Sequence, residues 1–183
     1  RDRPARQSSA RESLDPVKPV INITDIAVEG RGTRFVATGP AAERYDASVG
    51  HVGTRIGLKQ IGCNVTAVPP GKRAYPRHNH QVNEELFLVL SGSGEAIIGT
   101  ERYPLRPGDL VACPAGGPET AHQIVNTGSV ELRYLALSTR RTPEVVEYPD
   151  SGKFAVLAEC APQPNGDPRV LRFIGREGEG VNY

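Results

Sequence analysis

The chain contains no methionine and no tryptophan, and its aromatic residues are six tyrosines and four phenylalanines. Valine, leucine, isoleucine and alanine must therefore fill the interior. Without a methionine there is no initiator residue, so the beginning of the chain says nothing about a removed leader. An excess of either charge is missing too: 22 basic against 21 acidic residues leave a net +1. That balance gives no footing for nucleic acid or an anionic membrane as partner. No apolar run approaches the roughly 18 residues of a spanning helix. The opening Arg1-Asp2-Arg3-Pro4-Ala5-Arg6 is followed by Ser and Glu rather than by the apolar stretch of a signal peptide. Cys63, Cys113 and Cys160 are odd in number and form no Cys-x-x-Cys pair, which reads as free thiols in a cytoplasmic protein. Phosphate-cradling Gly-x4-Gly-Lys-Ser/Thr and the Gly-x-Ser-x-Gly elbow are likewise absent.

Turn formers, by contrast, are plentiful. Twenty glycines and 16 prolines favour short strands and tight turns over long helices. Residues 1–16 are polar and charged and read as a loosely held arm. Val20–Val28 and Arg34–Thr38 suggest strands, while 39–53 reads as a loop or a lone helical turn holding His51, assigned to loop packing or the surface. Ile56–Val68 alternates like one long strand, stopped by Pro69-Pro70-Gly71. Further strands are expected at Glu85–Leu90, Glu95–Ile98, Arg102–Leu105, Leu110–Cys113, Ala121–Asn126, Val130–Ser138, Val145–Tyr148 and Phe154–Glu159. Turn signals about every 8 to 12 residues argue for an antiparallel sandwich or barrel in one domain. The expected division is an arm at 1–16, a single barrel at 17–160 and an irregular tail at 161–183.

The densest chemical signal is His78-Asn79-His80, then Glu85, then His122 beyond a hairpin. Residues i and i+2 of a strand share a face, so His78 and His80 project side by side. A carboxylate from the next strand and an imidazole from across the hairpin would complete a ligand set. Imidazole with carboxylate suits one divalent ion among Fe, Mn, Ni, Zn and Cu, and leaves its identity open. The plainer alternatives are histidines that merely pack in the interior, or a metal that only staples the fold.

The stretch from Gly71 through His78, His80 and Glu85 to Gly92 resembles the first motif of the cupin superfamily, a His-x-His followed by Glu and, after six intervening residues, Gly. Glu85 fits both spacings, whereas Glu84 leaves the glycine one place off and is expected to point outward or to stand behind the ligands as their neighbour. Gly108 through Pro114 and Gly116 to His122 and Asn126 resembles the second motif. Two departures stand out. Gly71 lies one place early, and five residues rather than two separate Gly116 from His122, enlarging that loop; the His122-x3-Asn126 spacing restores the register. The matched motifs span 71–126. The resemblance implies an all-β, double-stranded β-helix (jelly-roll) barrel with extra N- and C-terminal strands. It also implies one divalent metal ion on His78, His80, Glu85 and His122, and a homodimer that exchanges N-terminal strands.

Tyr75, Glu119 and Gln123 are placed near the cavity mouth. Glu119, on the enlarged loop, is the candidate general acid or base, its plain alternative being a solvated loop carboxylate. Lys72, Arg73 and Arg77 form a basic cluster that either steers an anionic ligand or simply faces solvent. The functional expectation is a small metal-dependent enzyme of isomerase, lyase or dioxygenase type, acting on a small anionic or sugar-derived molecule. The alternative, from another class, is a non-catalytic metal-bearing module for small-molecule binding or sensing. No nucleic-acid or membrane partner is expected.

Overall fold

A computed structural model describes residues 19–30, 39–167 and 169–179. The expected arm at 1–16 and the strand at Arg34–Thr38 lie outside the described residues. The strands are β1 (Glu29–Gly30), β2 (Ser48–His51), β3 (Ile61–Val68), β4 (Asn79–His80), β5 (Glu85–Ser91), β6 (Gly94–Ile98) and β7 (Glu101–Leu105). They continue with β8 (Leu110–Cys113), β9 (His122–Val125), β10 (Leu132–Thr139), β11 (Glu144–Tyr148), β12 (Lys153–Cys160) and β13 (Arg169–Arg176). Among the described residues no helix is long and apolar enough to cross a membrane.

One sheet runs β1-β2-β3-β10-β5-β8. Facing it are β7-β6-β9 and β4-β11-β12-β13, which meet where His78 pairs with His122. This is the expected jelly roll. Its core lies between the two layers, with Val68, Phe87, Val89, Leu132 and Tyr134 from one and Ala96, Leu105 and Ile124 from the other. β3 is buried on both faces. Cys63 and Val65 pack outward with Ile26 and Val52, against which Ile21, Ile23 and Val28 also lie. The residues between them, Asn64 and Thr66, face the cavity described below.

Several boundaries differ from the sequence reading, each for a local reason. In place of a strand over Val20–Val28, Ile23–Asp25 forms a 3-10 turn, because the Asn22 side chain accepts from the Thr24 N–H and caps it. The expected long strand begins only at Ile61. Before it, the N–H groups of Arg55 and Ile56 bond back to Val52 O, and Gly57 at φ +80° keeps the chain turning. Within 39–53, β2 was not foreseen: Ser48-Val-Gly-His51 has no apolar alternation, yet it pairs along β3. The tail is not irregular throughout, because β13 pairs residue for residue with β12. Its apolar side chains stay exposed, so no inward-facing pattern marked it.

Gly92 closes the β5–β6 hairpin at φ +79°. A Cβ there would run into Glu131 O and lie 2.8 Å from the Leu132 Cα, both main-chain atoms that cannot swing aside. Gly92→Ala is therefore expected to cost about 2 kcal/mol or more of unfolding free energy. Urea denaturation checks this, and an unchanged midpoint would contradict it.

Candidate metal centre

The first two ligand candidates are brought together by main chain. His78 N donates to His122 O at 3.1 Å and His122 N donates to His78 O at 2.7 Å. Such a reciprocal antiparallel pair sets both side chains on one face. His80 lies two residues beyond His78 and shares that face, held where Gly116 N donates to its carbonyl at 2.8 Å. Glu85 arrives from the opposite layer, at the start of β5. One donor atom from each of His78, His80, Glu85 and His122 lies within 4.8 Å of all the others.

The nitrogens point in a consistent way. Each Nε2 faces Glu85 Oε2, at 2.8 Å for His122, 3.5 Å for His80 and 3.7 Å for His78. Each Nδ1 faces an acceptor outside: Pro76 O at 2.8 Å from His78, Thr120 O at 3.3 Å from His122, and Glu144 Oε2 at 3.5 Å from His80. A neutral imidazole carries one proton, so when that proton sits on the outer nitrogen the inner one has a lone pair to offer an ion; without an ion, His122 Nε2 is in hydrogen-bond contact with Glu85 Oε2. His80 is half-buried, with both ring nitrogens shielded from solvent and neither in a hydrogen bond. Three inward-facing imidazole nitrogens around one carboxylate oxygen are the donor set a divalent ion takes, and the outer acceptors favour the tautomer that frees them for it. The residues fit the ion.

The charge balance agrees. Burial alone would raise the Glu85 pKa, but the hydrogen bond from His122, the nearby rings of His78 and His80 and the charge on His80 hold it well below the ordinary carboxylate value. Burial alone would lower the His80 pKa; Glu85 and Glu144 together overcome it and raise it. Glu144 is itself buried and accepts from Val82 N, Asn83 N and Asn83 Nδ2, so it cannot turn away from His80. Sequence reasoning missed Glu144, since its approach depends on β11 pairing with β4 and nothing local marks it.

The cluster lines a cavity of about 280 Å³, whose wall also includes Tyr75, Thr66, Gln123, Tyr134 and Tyr148. A larger depression, about 530 Å³, runs past Ile61, Leu86 and Leu137 and is walled mainly by apolar side chains. Tyr75 and Gln123 thus reach the site as expected, with Gln123 Nε2 donating to Tyr75 O at 2.7 Å. Glu84 is exposed and Glu85 is the cluster member, as the spacing indicated. Glu119 is not brought in. It is exposed on the 3-10 turn Pro118–Thr120, and its carboxylate folds back to accept from Gly117 N at 3.0 Å. The enlarged loop uses that carboxylate to close its own turn. Lys72 and Arg77 are also spoken for: Lys72 Nζ donates to Glu43 O, and Arg77 pairs with Asp150 and donates to Gly99 O. His51 is exposed, bonded to Asn64 Oδ1 at 2.9 Å, and apart from the cluster. Cys113 stands opposite Glu85 in the β5–β8 register, and burial together with the Glu85 charge pushes its thiol up to about 12.

Residues 64–138, which include all four donors, match a family model described as Cupin domain. The chain is 34% identical over 71 residues to an uncharacterized protein of Methanocaldococcus jannaschii, covering 39% of this chain and 54% of that protein. It is 31% identical over 101 residues to auxin-binding protein 1 of Arabidopsis thaliana, covering 51% of this chain and 50% of that protein. It therefore spans about half the length of the curated relatives it matches. A solved structure from Silicibacter pomeroyi, described as a sugar phosphate isomerase from a cupin superfamily, superposes with a TM-score of 0.70 at 25% identity. That match covers 90% of this chain and 97% of the other.

Two outcomes are expected. Protein purified without chelator should carry about one divalent ion per chain by elemental analysis, and His80→Ala should lose most of it; equal content would remove His80 from the ligand set. Without the ion, stability should depend on pH through the same groups. His80 has its pKa raised above 6.5, so its contribution is present below that value and lost as pH rises through the folded pKa. Glu85 lies well below 4.5, so its contribution is present above that value and lost as pH falls through the folded pKa. In EDTA the melting temperature should therefore fall on the alkaline side in wild type and less so in His80→Ala.

Proposed function

Because this chain belongs to the cupin superfamily, we propose that it is a small metal-dependent enzyme acting on an anionic or sugar-derived molecule by isomerase, lyase or dioxygenase chemistry. The observation that carries the proposal is the convergence of three imidazole Nε2 atoms and one half-buried carboxylate on a cavity of small-molecule size. An ion held by His78, His80, Glu85 and His122 would supply Lewis acidity, polarising a carbonyl or hydroxyl oxygen of the substrate.

The chain's own side chains supply the rest. Thr66, Asn64 and Ser138 offer hydrogen-bonding groups along one wall, while Ile124, Val146 and Leu157 exclude water from the other. Two phenol rings flank His78, with ring centroids 6.3 Å away for Tyr75 and 6.2 Å for Tyr148, and both line the cavity. Tyr148 is assigned the proton transfer that sequence reasoning gave to Glu119. The isomerase branch has further support in the Silicibacter pomeroyi relative, named a sugar phosphate isomerase. A cytoplasmic setting, favoured by three free thiols, and a homodimer belong to the same reading.

A second reading, a binding module without turnover, has its own support in the likeness to auxin-binding protein 1, named for what it binds. The two separate on one experiment. Metal-loaded protein is incubated with a panel of sugar phosphates and small acids, followed by proton NMR for isomerisation or cleavage and by an oxygen electrode for oxidation. An enzyme should turn over at least one class, and Tyr148→Phe should then lower kcat roughly 100-fold with little change in KM. Saturable binding by calorimetry with no turnover under any metal would favour the binding module.

A further inference from the structure

We propose that Arg141 and Arg172 form an oxyanion subsite at the outer end of the cavity, holding the phosphate monoester group of a substrate whose other end faces the histidine cluster. The inference rests on the metal-dependent reading for what occupies that other end, and names the class of molecule the site takes.

The placement follows from strand register. Arg172 on β13 stands opposite Leu157 on β12, and Leu157 stands opposite Glu144 on β11. Directly paired residues put their side chains on one face, so the three form a row across the sheet. That row ends at Glu144, whose Oε2 lies 3.5 Å from His80 Nδ1. With strands about 4.8 Å apart, the Cα of Arg172 is about 10 Å from that of Glu144. Arg141 is fixed from the other side. Its N–H donates to Asn83 Oδ1 at 2.7 Å and its carbonyl accepts from Asn83 Nδ2 at 3.0 Å, and Asn83 also binds Glu144. Both arginines line an outer chamber of about 290 Å³, which shares His80, Glu85, Ser138 and Leu157 with the inner cavity. The two chambers are neighbours, with those four residues as common wall.

Arg140, Arg141 and Arg172 face Glu85, Glu144 and Glu159 across the outer chamber, but they are not paired one to one. Arg140 is matched by Glu159 at 3.2 Å. Glu144 has its oxygens taken by Val82, Asn83 and the approach to His80. Arg141 and Arg172 are exposed, and neither guanidinium has a hydrogen-bond or ion-pair partner among the described residues. Two forked guanidiniums offer two positive charges and paired N–H donors, which match the charge and oxygen geometry of a phosphate dianion better than a single carboxylate. A ligand fitting both ends carries a phosphate at one end and an oxygen-bearing carbon at the other, as a phosphorylated polyol or keto compound does.

The test is calorimetric titration of inorganic phosphate into the full chain treated with EDTA, so that no ion can hold the anion. Wild type should bind one phosphate per chain. Arg141→Ala and Arg172→Ala should each weaken binding roughly tenfold, and the pair together about 100-fold, with melting temperature retained. Arg106→Ala, on an exposed turn that lines neither chamber, should bind as wild type does. Equal affinity in wild type and the double variant, or no heat at millimolar phosphate, overturns the subsite. Acetate bound as tightly as phosphate overturns the assignment to phosphate. Elemental analysis of parallel preparations purified without chelator separates the two readings: arginine variants that carry metal but, once stripped, bind no phosphate support the subsite. A wild type that binds phosphate through these arginines but takes up no ion keeps the subsite and ends the metal reading.

Discussion

Two hydrogen bonds between the main chains of His78 and His122 hold the arrangement together. They are where β9 and β4 meet, so they turn a three-stranded and a four-stranded piece into one wall facing the longer sheet. The contact that continues the wall also sets two imidazoles side by side. Anything that separated β9 from β4 would open the barrel and scatter the donors in the same movement.

Glu85 supplies the opposite constraint. It is the one cluster member from the longer sheet, and its carboxylate reaches across the interior to three rings on the facing wall. A buried carboxylate is costly unless it is matched, and here the match comes entirely from the other layer. An ion at this point would bridge the two layers, so occupancy and fold stability are linked. Glu144 extends the linkage outward through His80 to Asn83 and the segment that carries Arg141.

Much of the site was legible because its members carry local signatures. His78 and His80 are two apart, Glu85 sits at a fixed distance before the hairpin glycine Gly92, and Asn126 marks the register of His122; Asn126 proves to be buried, donating to Val68 O and Val130 O and accepting from Gly128 N. The strands between Glu85 and Tyr148 were legible for the same reason, since tight turns punctuate them. Less visible was whatever depends on partners distant in sequence. β2 and β13 are strands because β3 and β12 offer them edges, and neither carries an alternating pattern. Glu119 looked poised because the loop length was known and its internal bonding was not; the Gly117 amide captures it. Arg141, ahead of β11, and Arg172, on β13, lie 31 positions apart in sequence yet line one chamber.

The thiol of Cys113 has one further consequence. It stands across from Glu85, and its proton is held up to about 12 by burial and by that carboxylate. A thiol that stays protonated reacts slowly with peroxides and alkylating agents, because the thiolate is the reactive form. Sulfur therefore sits across from a cluster member in its protonated, weakly nucleophilic form, which slows oxidation at that wall.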